Sequence, residues 1–139
     1  MKTHWGIRIA IVVFGLQFAG FAQCADVSGV WTKTTDPSPE NIALFYVENN
    51  AIKALGSSRW QEKKVLWFAE GKISAARVQC SYHYSADAKP DGWEQEGTME
   101  LVLSEDGDVM GGTAKSVSGA WSGAIEFRRI QLVSPDLRN

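Results

Sequence analysis

The stretch GTMELVLSEDGDVMGGTAKSVSGAWSGAIEFRRIQL, residues 97–132, decides the reading of the fold. Between Thr98 and Ser104 the apolar Met99, Leu101 and Leu103 alternate with Thr98, Glu100 and Ser104, the two-residue period of a strand with one buried face. Only Val102 interrupts the polar side. Glu105-Asp106-Gly107-Asp108 follows, and its Asp-Gly pair supplies the positive φ that a tight hairpin needs. Val109 to Ser116 is expected to run back alongside, Ser118-Gly119 to turn again, and Ala120 to Leu132 to form a third strand. On that strand Trp121, Gly123, Ile125, Phe127 and Arg129 share one face, opposite Ser122, Ala124, Glu126, Arg128 and Ile130. An arginine ending an apolar face needs either a partner there or a way out to solvent.

Working outward, the same grammar extends back to Asp26, and no segment holds a helical period of 3.6. Val27 to Lys33 reads as a first strand, and Thr35-Asp36-Pro37-Ser38-Pro39 as a loop, because prolines interrupt sheet ladders. Ile42 to Glu48 and Ala51 to Leu55 flank Asn49-Asn50, which fits a two-residue hairpin turn. Ser58 to Lys64 reads as a short helical turn capped by Ser57 or Ser58, or as a loop. Val65 to Ala69 is a short apolar strand, Gly71-Lys72 a turn, and Ile73 to Ser85 a long strand. In the latter Val78, Cys80, Tyr82 and Tyr84 face one way, with Arg77, Gln79, Ser81 and His83 on the other. Ala86 to Gly92 is the loop before the opening stretch. About eight strands joined by tight turns imply an all-β fold. An up-and-down antiparallel barrel leaves no open sheet edge; a two-sheet sandwich is the alternative.

Residues 1–25 read as a secretory signal peptide. Lys2 and Arg8 precede the apolar run Ile9 to Ala22, which is short for a membrane span, and no acidic residue occurs before Asp26. Small residues permit cleavage after Ala22, or after Cys24 or Ala25. In the first case Cys24 remains available to pair with Cys80; otherwise Cys80 is a small buried hydrophobe. The remainder, 26–139, is one domain in a periplasmic or secreted protein. Without Lys2 and Arg8 it carries twelve basic and sixteen acidic residues, a net charge of −4, which disfavours nucleic acid as a partner. No membrane span is expected.

Asp26-Val27-Ser28-Gly29-Val30-Trp31 resembles the Gly-x-Trp start of the first strand in lipocalin and avidin-like (calycin) barrels. Trp121-Ser122-Gly123 to Arg129 resembles the last strand of small bacterial exported barrels of that kind. The resemblance implies that Gly29, Trp31 and Arg129 close one end, with the arginine over the tryptophan. It covers about a quarter of the mature chain. Independently, a guanidinium on an indole gains about 0.5–2 kcal/mol and offers five donors to nearby carbonyls.

Catalytic patterns are sparse. The mature chain has one histidine, His83, and lacks CxxC and HExxH, so neither a metal nor another cofactor is implied. His83 and Cys80 have opposite parity on one strand and cannot act as base and nucleophile. Glu94, Glu96 and Glu100 read as solvated charges rather than a glycosidase pair, and Glu105 to Asp108 as a turn rather than a calcium loop. No enzyme is expected. The aromatic residues are the remaining resource: Trp31, Trp67, Trp121 and Phe127 as core, and Trp60 and Trp93, in polar surroundings, as anchors or plugs. The first functional expectation is a binding barrel taking a small, partly apolar ligand at its mouth, lined by Trp60, Trp93, Tyr82 and Tyr84. The second is a protein-binding module, of inhibitor or immunity type, presenting the Asp87–Trp93 and Arg59–Lys64 loops.

Overall fold

In the computed structural model, which describes residues 25–35 and 40–131, the alternation becomes a closed barrel of eight strands. These are β1 (Gly29–Lys33), β2 (Ile42–Glu48), β3 (Ala51–Trp60), β4 (Lys63–Ser74), β5 (Arg77–Tyr84), β6 (Glu96–Leu103), β7 (Val109–Ser116) and β8 (Ser122–Arg129). Each pairs antiparallel with the next, and β8 returns to β1 through Trp31 opposite Arg129 and Thr32 opposite Arg128. This is the up-and-down barrel, not the sandwich, and closure leaves no ladder unpaired at an edge.

Parity sorts the side chains. In β6 the buried Gly97, Met99, Leu101 and Leu103 alternate with the exposed Glu96, Thr98, Glu100 and Val102. Inward residues from all eight strands meet in one core in which Trp31, Phe45, Ile52, Leu101 and Met110 are almost fully buried. At its centre Phe45 meets Trp31, Trp67 and Phe127 edge-on, with ring centroids 6.4, 6.4 and 5.7 Å away. Such T-shaped contacts set the positive ring edge against the negative face.

Asn49 and Asn50 take positive φ, as their hairpin requires, and Asp106 stiffens the β6–β7 turn by accepting hydrogen bonds from Ser104 Oγ and the Asp108 amide. Two connections differ from the sequence reading. Ser58 to Lys64 is neither a helical turn nor a loop: β3 continues to Trp60 and β4 begins at Lys63, so Gln61 and Glu62 form a tight hairpin with Gln61 at φ 49°. Gly71-Lys72 stays within β4, and the chain turns instead at Ala75-Ala76, with Ala75 at φ 51°. Residues 1–24 of the signal segment, Cys24 among them, and Pro37, Pro39 and Leu132 lie outside the described residues.

The meander gives the barrel two different ends. One holds the turns at 49–50, 75–76 and 105–108, the start of β1 and the end of β8. The other holds the β3–β4 and β7–β8 turns, the β5–β6 loop, the end of β1 and the start of β2.

Candidate functional site: a sealed end and an aromatic mouth

At the first end the Arg129 guanidinium lies 4.3 Å from the centroid of the Trp31 ring. Its nitrogens donate to three main-chain carbonyls: Nε to Gly107 at 3.0 Å, Nη1 to Ser28 at 2.7 Å and Nη2 to Asp26 at 2.8 Å. The Trp31 indole N–H donates to the Val27 carbonyl at 3.0 Å, so both partners in the stack are satisfied. Gly29 takes φ 136°, and a Cβ there would come within 3.1 Å of Arg129 Nη1. Val27 is fully buried beneath this cap. Gly29, Trp31 and Arg129 are thus brought together, and this end is sealed by a planar cation holding the β1 entry and the β6–β7 turn.

At the opposite end the four other sequence-selected residues also meet. Tyr82, 7% exposed, touches Tyr84 with centroids 5.4 Å apart; Tyr84 touches Trp93 at 5.4 Å, and Trp93 touches Trp60 at 5.7 Å. Trp60 is 52% exposed. Tyr82 and Tyr84 arrive there by inward parity on β5, and Trp93 from the β5–β6 loop. Trp60 keeps the inward parity of Ile52 and Ala54 on β3, at the tip of a hairpin whose last rungs are Arg59–Lys64 and Trp60–Lys63. The result is a run of rings from interior to surface. The Tyr82 hydroxyl donates to the Lys115 carbonyl at 3.3 Å, and burial raises the pKa of both tyrosines, keeping them neutral.

Trp121 is not core, as the sequence reading had it, but 51% exposed. It precedes β8 and so lies past the last rung of the wall, at the same mouth, leaning over Gly123. Trp67 is half-buried, lies across Gly56 and packs on the core rings Phe45 and Phe127 at 6.4 and 6.3 Å.

Polar ties connect the elements around this mouth. Arg59 pairs with Glu40, joining the β3 tip to the approach to β2. Lys63 Nζ meets the Asp91 carboxylate at 3.1 Å, linking the β3–β4 turn to the β5–β6 loop. Glu94 accepts from the Ser118 amide at 3.0 Å and from the Ser118 hydroxyl, linking that loop to the β7–β8 turn. Each tie is exposed and individually weak, but together they link the segments that carry Trp60 and Trp93. Hydrogen bonds from Ser118 hold the Glu94 carboxyl below its ordinary range. A lowered carboxylate pKa means the tie is complete above the unconstrained pKa and is lost as pH falls through the lower folded value. In an NMR titration the Ser118 amide shift is therefore expected to move with a midpoint below that of an unconstrained glutamate. A midpoint at or above it, or the same curve in Glu94→Gln, would remove the tie.

Catalytic candidates do not converge. His83 points outward and stacks on Phe68 at 5.3 Å, whereas Cys80 faces the core, where burial pushes its thiol up to about 11. Among the described residues no three His, Cys, Asp or Glu side chains are grouped to hold a metal ion. Two surface indentations, about 330 and 190 Å³, lie on the outer wall among residues such as Arg77, Glu100 and Lys115, and Glu40, Arg59 and Lys64. Neither is lined by an aromatic residue.

The closed eight-strand antiparallel barrel fits a calycin-like fold. Comparison of the chain with family models, curated proteins and solved structures gives no match.

The sequence reading missed one feature. Leu44, Leu55 and Phe68 occupy a single cross-strand row on the outside of β2, β3 and β4, each 40–49% exposed. Ile42 and Tyr46 flank it on β2. The signal was present in Ile42-Ala43-Leu44-Phe45-Tyr46-Val47, an unbroken apolar run where a strand with one wet face should alternate.

Proposed function

We propose that this chain is an exported, non-catalytic binding protein of lipocalin or avidin-like type that takes a small, partly apolar ligand at its aromatic mouth. One observation carries the reading: four rings in mutual contact run from the buried Tyr82 to the half-exposed Trp60, at the end opposite the Arg129 seal. A flat or aromatic group stacking on Trp60 and Trp93 would add to a run already in place, so little side-chain freedom would be lost on binding. The loop ties around the mouth support the same view, since they preorganise both tryptophans. A protein partner is the second reading, favoured by the half-exposed Trp121 at the same end of the barrel as Trp60, because exposed tryptophans at a rim are common interface anchors.

Native mass spectrometry of protein purified from its own compartment separates the two. A small molecule that co-purifies, quenches tryptophan fluorescence on return to the stripped protein, and binds at least about tenfold more weakly to Trp60→Ala supports the ligand. A co-purifying protein lost with Trp60→Ala supports the second reading. A ligand whose affinity is unchanged in both Trp60→Ala and Trp93→Ala places the site elsewhere.

A further inference from the structure

We infer that the outer wall of β2–β4 is a self-association surface on which a second copy of this chain packs face to face. The row Val30, Leu44, Leu55, Phe68 runs across four adjacent strands in continuous register. Ile42 and Tyr46 extend it on β2 at 41% and 56% exposure. A contiguous apolar patch of this kind marks an interaction site, whereas scattered apolar residues do not. The far wall differs: Thr98, Glu100, Thr113, Lys115, Glu126 and Arg128 lie outside there, with Val102 exposed among them rather than in an apolar row. The apolar surface is therefore a one-sided stripe, not the girdle that a barrel set in a bilayer carries. Closure also leaves no strand edge for pairing, so association must use side chains on a face.

Charge placement selects the occupant. Glu48, Ala51 and Lys72 form one row across β2, β3 and β4, and Tyr46, Lys53 and Glu70 form the next. A two-fold axis along β3 through Leu55 lays β2 of one copy on β4 of the other. Leu44 then meets Phe68 of the second copy, Ile42 meets Leu66, and Glu48 meets Lys72. At the other rim Glu40, paired with Arg59, comes opposite Lys64. Lys53 falls on the axis near its own copy, but the Glu70 carboxylates flank it on both sides. Arg59, also on the axis, is already paired. The patch is self-complementary in both apolar contact and charge, as an isologous interface requires.

Sedimentation velocity of the exported protein over a range of concentrations tests this. The wild type is expected to dimerise, and Phe68→Glu to raise the dissociation constant about a hundredfold while the monomer still unfolds cooperatively, with a midpoint lowered only by loss of the stack on His83. Glu48→Lys and Lys72→Glu should each weaken the dimer, and the double swap should restore it, because each charge meets the other across the axis. A protein that stays monomeric at every concentration, a dimer insensitive to Phe68→Glu, or a double swap that fails to recover association overturns the proposal. So does a monomer whose wall instead binds phosphatidylcholine vesicles or a different protein.

Discussion

Replacing Arg129 with alanine is expected to lower the thermal midpoint by about 10 °C, equivalent to about 3 kcal/mol for a domain of this size. The side chain supplies three charge-assisted hydrogen bonds to the Asp26, Ser28 and Gly107 carbonyls and the cation above Trp31. Each such bond is worth about 1.5–3 kcal/mol when shielded, and the stack about 0.5–2; because Arg129 is only partly buried, the sum is discounted for solvent. Lysine keeps the charge but not the planar fork, so Arg129→Lys should lose about half as much. Differential scanning calorimetry decides it. Were both variants to melt with the wild type, the guanidinium would be an ornament on the barrel end, not its seal.

Gly71→Ala is expected to cost about 3 kcal/mol or more, whereas Gly111→Ala should stay within about 0.5 kcal/mol of the wild type. A Cβ on Gly71 would be driven into the Gln79 carbonyl oxygen and within 2.7 Å of Cys80 Cα. Both are main-chain atoms of the paired strand, so relief would require parting β4 from β5, not turning a side chain. At Gly111 the nearest atom is Glu126 Cγ at 3.6 Å, an ordinary contact, and alanine also restricts the unfolded chain slightly. Urea denaturation of the two variants gives the comparison. Equal midpoints would mean that β4 and β5 can separate at Gly71 without loss.

These two glycines also show where sequence reading succeeds and fails. Gly71 looked like a turn because glycine usually marks one, yet here it serves close strand approach inside a continuous β4. The true turns at Gln61 and Ala75 lack turn chemistry: both residues take positive φ although neither glutamine nor alanine marks a turn in sequence. Alternation was legible wherever one face met water, as in β5 to β8. It said nothing in β2, where both faces are apolar, and the outer row of Leu44, Leu55 and Phe68 emerged only from cross-strand register. The gathering of Trp60 and Trp93 at one mouth was legible in the sequence as aromatic residues in polar surroundings; what was not legible is that Trp60 sits on the last rung of a β3–β4 hairpin rather than in a helical turn or loop.

The Arg129 cap has a consequence for the order of folding. Its bond to Asp26 joins residues 103 positions apart, and β8 is the strand that completes β1. Neither end of the domain can finish without the other. A nascent chain lacking β8 would hold β1 and β7 as open edges and leave the Trp31 ring uncovered, so the barrel must close after the last strand has been made. Contacts of such long sequence separation make folding slow relative to local hairpins. The hairpins from β2 to β7 can form as they emerge; the seam that joins first strand to last commits the whole chain at once.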